Sequence, residues 1–260
     1  MTQRPIALIT GASSGIGAVF ARKLARRGYD LILVARDAAR LTALADELKS
    51  LGASGQPVVA DLGTPTGLAD TEAAISRAER LDLLVNNAGF GTTGAFATTD
   101  AARQEQMLLL HVLAVSRLTR AALDRMMPVR RGGIITVSSV ASYTNSAGNV
   151  NYCATKAYQR MFSESLSIEC APHGIRVQAL CPGFTHTEFH ERMAFDQSAV
   201  ASEWMWLSAD HVVETSLRQF ESGGAVVCVP GAQYKVIVFL ARHLPLWIKE
   251  RIAQRVYTRT

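Results

Sequence analysis

The sequence predicts an α/β protein built on one doubly wound parallel sheet, with helices on both faces and a helical tail. Short apolar runs suited to buried strands alternate with longer stretches of 3–4 periodicity up to about residue 230. The first strand runs into a Gly-rich turn, TGASSGIG at 10–17, that opens a helix. With 260 residues, 48% hydrophobic and 19% charged, the chain can bury one large core, which excludes a disordered protein.

Ile6–Thr10 reads as the first strand, and Ile16, Phe20, Leu24 and Ala25 as the inner face of the helix that follows. A Gly-rich turn in that position is a phosphate cradle, because small residues let a pyrophosphate approach backbone N–H groups at the positive end of the helix. By itself the motif fits a tightly packed turn equally well. A second strand over 31–35 ends at Arg36, and a helix follows over 37–51. Where this strand ends in a dinucleotide-binding fold, an acidic residue pairs with the ribose 2′-hydroxyl of NAD, whereas an Arg accommodates the 2′-phosphate of NADP. Arg36 therefore points to NADP(H), with NAD(H) second. Asp37 beside it argues the other way, and an ordinary surface Arg is the plain alternative.

A third strand over 57–60 ends at Asp61 and Leu62, and a helix runs to about residue 80. The fourth strand, 83–85, enters NNAG at 86–89, where two side-chain amides can tie neighbouring strand ends together. After a Gly/Thr-rich loop over 90–99, a helix over 100–127 contains MLLLHVLAV, apolar nearly all round and so expected to be deeply packed.

The stretch 132–169 holds the chemistry. It begins as a strand with Ile134, Ile135 and Val137, ends in Ser138 and Ser139, and becomes a long helix carrying Tyr152 and Lys156. Residues four apart on a helix share a face about 6 Å apart. A free phenol, with a pKa of about 10, is a slow acid at neutral pH, and a neighbouring ammonium is expected to lower that value. Tyr152 is then poised to move a proton while Ser139 holds a substrate oxygen. Alone, a Tyr and a Lys at this spacing also occur on ordinary solvated helices.

A strand over 176–181 leads to a lid over 184–210 with Phe189, Met193, Phe195, Trp204, Met205 and Trp206. Such a lid suits a bulky apolar carbonyl compound, ordinary packing of a helical insertion being the alternative. A helix over 210–221 and a last strand over 225–229 follow. In the tail, Ile237, Leu240, Leu244, Ile248, Ile252 and Val256 recur at 3–4 spacing around Pro245, predicting two amphipathic helices with basic outer faces.

The formal net charge of +5 resides entirely in residues 235–260, where six Lys and Arg face one Glu. A nucleic-acid partner is not expected, since its basic footprint would spread over a docking face. Packing on the chain's own substrate lobe or on a second subunit is expected for the tail ahead of contact with a membrane surface, which Trp247 and the basic residues would also suit. The four cysteines lack disulfide or metal-ligand spacing, so neither a metal nor a secreted framework is expected. The start MTQRPIALITG enters a strand directly, and no apolar run approaches the roughly 20 residues of a membrane span. A cytoplasmic protein is expected.

Together TGASSGIG at 10–17, Asp61, NNAG at 86–89, Ser139, YCATK at 152–156 and CPGFTHT at 181–187, in order over about residues 5–230, resemble the short-chain dehydrogenase/reductase family. The resemblance implies a Rossmann-type sheet of about seven strands in one cofactor-binding and catalytic domain over 1–230, with 231–260 as an extension packed on it. It implies an NADP(H)-dependent oxidoreductase that interconverts a small-molecule ketone or aldehyde and an alcohol by hydride transfer. The tail is similar to that of a subgroup related to ketoacyl-thioester and steroid reductases. Tyr152 falls on the family's acid/base, Lys156 on the residue that lowers its pKa and binds the nicotinamide ribose, and Ser139 on the substrate-orienting serine. Gly11, Ser13, Ser14, Gly15, Ile16 and Gly17 fall on the pyrophosphate turn, Asp61 and Leu62 on adenine contacts, and Asn87, Ala88 and Gly89 along the cofactor. Pro182, Gly183, Thr185 and Thr187 fall on the nicotinamide segment, and the lid on the region that covers substrate. Members commonly pair through the helices holding residues 100–127 and 152–171, so a homodimer or homotetramer is expected.

One position departs from the family. His111 stands where members usually carry an Asn that supports a helix distortion, whose main-chain carbonyl holds a water in the proton relay to the lysine. The carbonyl survives the replacement, and an imidazole can itself carry protons. A His in an apolar helix is otherwise more often a core residue. A nucleotide-binding regulator or scaffold with little catalysis is the second reading, and His111 is its only support.

Overall fold

The computed structural model describes residues 4–191 and 202–257. Seven parallel strands form one sheet: β1 (Ile6–Thr10), β2 (Asp30–Ala35), β3 (Gly55–Val59), β4 (Leu83–Asn86), β5 (Gly132–Val137), β6 (Ile175–Leu180) and, after a separate parallel pair β7 (Thr185–His186) and β8 (Leu207–Ser208), β9 (Val227–Cys228). The spatial order is β3-β2-β1-β4-β5-β6-β9. The strands of the middle read as continuous apolar runs because both sheet faces are covered. The order reverses between β1 and β4, which opens a crevice beyond their carboxyl ends.

Two cores flank the sheet. On one face α1 (Gly15–Arg26), α2 (Ala38–Ser50) and a later helix, Ala209–Glu221, bury Phe20, Leu24, Leu41, Leu48 and Val213 against Ile9 and Leu33. On the other, α3 (Pro65–Arg77), α4 (Ala101–Leu108), α5 (Val115–Met126) and α6 (Val150–Cys170) form the layer, with Leu68, Ile75, Leu118 and Ala122 packed on Leu8, Leu84 and Ile134. Helix starts are set by side chains that satisfy orphan N–H groups: Asp37 accepts from Arg40 N–H, Thr64 accepts from Gly67 N–H with Pro65 in the first helical position, and Ser208 accepts from His211 N–H. A turn of helix, α7 (Glu188–Glu191), precedes Ala209–Glu221, which is α8; α9 (Ala232–His243) and α10 (Leu246–Tyr257) form the tail.

Several expectations shift. Strand β3 lies two residues earlier than predicted, at an edge where Pro57 is tolerated, and β9 shrinks to two residues. MLLLHVLAV is not packed all round: Met107, His111, Ala114 and Val115 face inward, whereas Leu108 and Leu113 are each 44% exposed. Residues Leu109–Ala114 form a π turn between α4 and α5, and a helix lying on one sheet face buries only one stripe. In the tail the break at Pro245 is as predicted, but Tyr234 and Val238 carry the buried stripe while Leu240 is exposed. The side chains of Ile252 and Val256 lie outside the described residues. Among the described residues no helix is long and apolar enough to cross a membrane.

Helices α1 and α8 are joined by charge. Glu214 pairs with Lys23, Arg27 and Arg218 at 3.1, 3.1 and 2.9 Å. Hydrogen bonds from Arg218, Lys23 and Arg27 hold its carboxyl down to about 2. The folded value lies below the unfolded one, so the cluster stabilises the fold above about pH 4.3 and loses its contribution as the pH falls from there toward 2. Solvent screening limits it to about 1 kcal/mol. Glu214→Gln is expected to lower the urea-unfolding free energy by about that amount at pH 7, the deficit shrinking toward pH 3. A deficit that does not vary with pH would exclude the ion cluster as its cause.

Candidate active site

A cleft of about 980 Å³ runs along the carboxyl ends of the central strands. At one end lies the turn after β1, where Gly11 and Gly15 hold φ of +66° and +54°, values that L side chains rarely adopt. A Cβ on Gly17 would fall 2.2 Å from the Gly11 carbonyl oxygen. Gly17 therefore lets the helix pack against the turn and does not itself line the cleft. The Thr10 hydroxyl accepts from the N–H groups of Asn87 and Ala88, and the Asn87 amide donates to the carbonyls of Thr10 and Gly11 at 2.9 and 3.2 Å. These bonds lock the end of β4 to the end of β1. Asn86 is buried and donates instead to Thr119 on α5, 3.0 Å away. Arg36 and Asp61 stand 3.9 Å apart at the far end of the cleft, Arg36 largely in solvent, while Asp37 is occupied in capping α2.

Ser138 and Ser139 diverge at the end of β5. Ser138 is buried and donates to the Lys156 carbonyl at 2.7 Å, pinning α6 to the strand. Ser139 lines the cleft with Tyr152, and its hydroxyl accepts from Ala141 N–H at 3.1 Å and donates to the Pro182 carbonyl at 3.5 Å. Lys156 is 5% exposed, and its Nζ donates to the Val137 carbonyl at 2.8 Å and to Gln159 Oε1 at 2.9 Å. Burial pushes the Tyr152 phenol up to about 12 against the opposing effect of Ser139, although part of the residue's surface stays open. Burial also pushes the Lys156 amine down to about 7. The expected lowering of the Tyr152 pKa by Lys156 is thus not realised here. The amine is held by a strand carbonyl and an amide, 5.8 Å from the phenol ring centroid, and loss of hydration outweighs its field.

Of the residues singled out by sequence, Gly11, Ser13, Ser14, Gly15, Ile16, Arg36, Asp61, Leu62, Asn87, Ala88, Gly89, Ser139, Tyr152, Lys156, Pro182, Gly183, Thr185 and Thr187 all line this cleft. Residues 5–197 match the short chain dehydrogenase family. The chain belongs to that family. It is 36% identical over 196 residues to the 3-oxoacyl-(acyl-carrier-protein) reductase FabG of Escherichia coli (strain K12), covering 75% of this chain and 79% of the relative. A short-chain dehydrogenase from Sphingobium yanoikuyae in complex with NADPH superposes with a TM-score of 0.83 at 36% identity, over 90% of this chain and 91% of that one. The bulky-bulky ketone specific alcohol dehydrogenase from Comamonas testosteroni does so with a TM-score of 0.80 at 31% identity, over 94% and 96%. The protein is an oxidoreductase that acts at CH–OH groups.

In this dehydrogenase His111 lies behind the cleft, fully buried in the π turn. Its Nε2 meets the Phe90 N–H at 3.2 Å and its Nδ1 meets the Thr155 hydroxyl at 2.9 Å. A backbone N–H only donates, so Nε2 is the acceptor and Nδ1 carries the proton. Thr155 passes its own proton to the Tyr152 carbonyl at 3.1 Å. The expected helix distortion is therefore present, with His111 bracing the loop after β4 against the helix that carries Tyr152. Gly89 admits the ring, since a Cβ there would lie 2.8 Å from Nε2.

The lid and tail meet at a residue that the sequence reading passed over. The Tyr234 hydroxyl accepts from Phe184 N–H at 2.8 Å and donates to the Met205 carbonyl at 2.7 Å. Its ring occupies the space a Cβ on Gly183 would fill, 1.9 Å from Cζ. The one available signal was a Tyr on the inner face of the first tail helix. Phe189 lies 6.1 Å from the Tyr152 ring, and Met205 lines the cleft. Trp206 is buried against Phe184 and His186, as the packing alternative has it, whereas Trp204 is exposed. Met193 and Phe195 lie outside the described residues.

Burial, helped by Lys156, holds the His111 imidazole well below its ordinary value of 6.5. A depressed histidine stabilises the fold above its unfolded pKa, and that contribution drains away as the pH falls below about 6.5. Between pH 6.5 and 5 the wild type is expected to lose up to about 1.4 kcal/mol per pH unit more stability than His111→Asn. Chemical unfolding across that range checks it, and parallel pH dependences would exclude His111 as the titrating group.

Proposed function

We propose that the protein reduces a bulky, apolar ketone or aldehyde to its alcohol with NADPH, and runs the reverse oxidation with NADP. The observation that carries this reading is the Tyr152 phenol, kept protonated by burial and sharing with Ser139 and Lys156 the cleft that begins at the Gly-rich turn. The residues fit a dinucleotide. At Gly11, Gly15 and Gly17 side chains are kept out of the turn by backbone angle or by close approach, which leaves the N-terminus of α1 open to a pyrophosphate. Arg36, largely in solvent with Asp61 no nearer than 3.9 Å, can reach a 2′-phosphate, and the neighbouring Asp37 carboxylate that would favour a bare ribose is engaged in a helix cap. The Sphingobium relative holds NADPH, in line with that choice.

When bound, the nicotinamide supplies or takes the hydride. Ser139 holds the carbonyl oxygen, Tyr152 delivers its proton to that oxygen as negative charge develops, and the Lys156 amine stabilises the phenolate left behind. Phe184, Phe189, Met205 and Ile237 give the substrate end an apolar wall, and the Comamonas relative is named for bulky ketones. Residues 1–230 serve as one catalytic domain, with 231–260 as an extension of the same unit. Four buried, unbridged cysteines suit a reducing cytoplasm. Leu108 at the end of α4 and Leu113 in the π turn, with Met161 and Ile168 in α6, leave apolar surface exposed and support pairing of copies through these elements.

Oxidation of NADPH and of NADH against long-chain, steroidal and aromatic ketones is the direct test. Turnover is expected with NADPH preferred roughly 10–100-fold, the worth of a charged Arg–phosphate contact. Tyr152→Phe is expected to cost at least about 10³-fold in kcat while NADPH still binds. Undiminished turnover in that variant would sink the assignment. Sedimentation of the wild type is expected to give a dimer or tetramer, and Ile168→Glu a smaller species. A wild-type monomer at micromolar concentration would remove the pairing proposal.

A further inference from the structure

Gln159 sits three residues beyond Lys156 on α6 and is 1% exposed. Its Oε1 accepts from Lys156 Nζ at 2.9 Å, and its Nε2 donates to the His111 main-chain carbonyl at 3.0 Å. The amide has one orientation, because an amine proton must meet the oxygen and a carbonyl must meet the NH₂ group. We propose that Gln159 is a positioning residue for this reaction, its side chain bridging Lys156 to the π turn in place of a water. The role in turnover rests on the function proposed above; the bridge itself does not.

An ammonium has three protons, and Val137 and Gln159 take two, which fixes the amine and leaves one proton for the cleft. The titratable groups facing Lys156 are Tyr152 on its own helix, His111 on the π turn and Cys181 beyond β6. None is a carboxylate, so the charged amine depends on these two neutral acceptors. An apolar residue of equal size at 159 would strand both the amine and the His111 carbonyl, whereas a small one would leave room for a water with polar partners. An amide holds its partners but does not pass a proton on as a water does, so the bridge orients Lys156 without connecting it to solvent through the π turn.

The test is a ¹³C NMR titration of the full chain labelled at lysine Cε, without cofactor, with Lys156→Arg used to assign its signal among the five lysines. Lys156 is expected to titrate near 7 in the wild type. Gln159→Leu is expected to lower this by about one unit or more through loss of an acceptor, Gln159→Ala to stay within about half a unit, and Gln159→Glu to raise it. Kinetically, Gln159→Leu is expected to lose about tenfold in kcat with little change in KM and to move the alkaline limb of the pH profile downward, with Gln159→Ala restoring most of both. An unchanged Lys156 titration in both Gln159→Leu and Gln159→Glu overturns the bridge; should the Leu variant fail to fold, an unmoved titration in Gln159→Glu alone does so. Shifted titrations in a protein that reduces no carbonyl would sustain the bridge and defeat the proposed reaction instead, and shifted titrations with unchanged kinetics would overturn the role in turnover.

Discussion

A lysine amine buried at the end of β5, with no carboxylate among the described residues facing it, is the constraint on which the site depends. Removing such a group from water is unfavourable unless its protons find acceptors, and the surrounding fold supplies them. Val137 contributes a carbonyl at the strand's end, and Gln159 contributes an amide from the next turn of α6. Ser138 anchors the backbone of the lysine itself, so the helix cannot slide along the strand. The same dryness that depresses the amine to about 7 raises the Tyr152 phenol to about 12, so burial moves the two acidities apart and keeps the phenol protonated.

From that point the bracing spreads outward through polar groups buried in matched pairs. His111 joins the loop after β4 to α6, and Thr10 with Asn87 joins that loop to β1. The turn that would receive a pyrophosphate and the helix that carries the proton donor are therefore linked through a short series of hydrogen bonds. Each step depends on a small neighbour: Gly89 makes room for the imidazole, and Gly17 for the first helix.

Much of this was legible in the sequence. Alternating apolar runs and helical periodicity located the strands of the sheet centre to within about two residues, because strands covered on both faces carry an unbroken apolar signature. β3 and β9 were placed less well, since edge strands are half solvated and Pro57 obscures the pattern. The cleft residues emerged because glycines, amides and a serine are unusual at strand ends, and the Tyr and Lys one helical turn apart follow Ser139 closely in the chain. The state of Tyr152 did not, because spacing reports proximity to a lysine but not hydration, and hydration proved the larger influence. Gln159 and Tyr234 escaped notice for a related reason. Each is an unremarkable residue on a helix whose importance lies in a partner far along the chain or in the backbone.

The Tyr234 hydroxyl bonds Phe184 on one side and Met205 on the other, so one phenol oxygen ties together the two ends of the stretch from 185 to 204. A loop whose ends are already held together adds little closure entropy when it is lengthened or shortened. The ends of the stretch are in that sense clipped into a fixed socket formed by Tyr234 and Gly183. Changes of length between those ends therefore leave the clip itself in place, provided the tyrosine and the glycine beneath its ring remain.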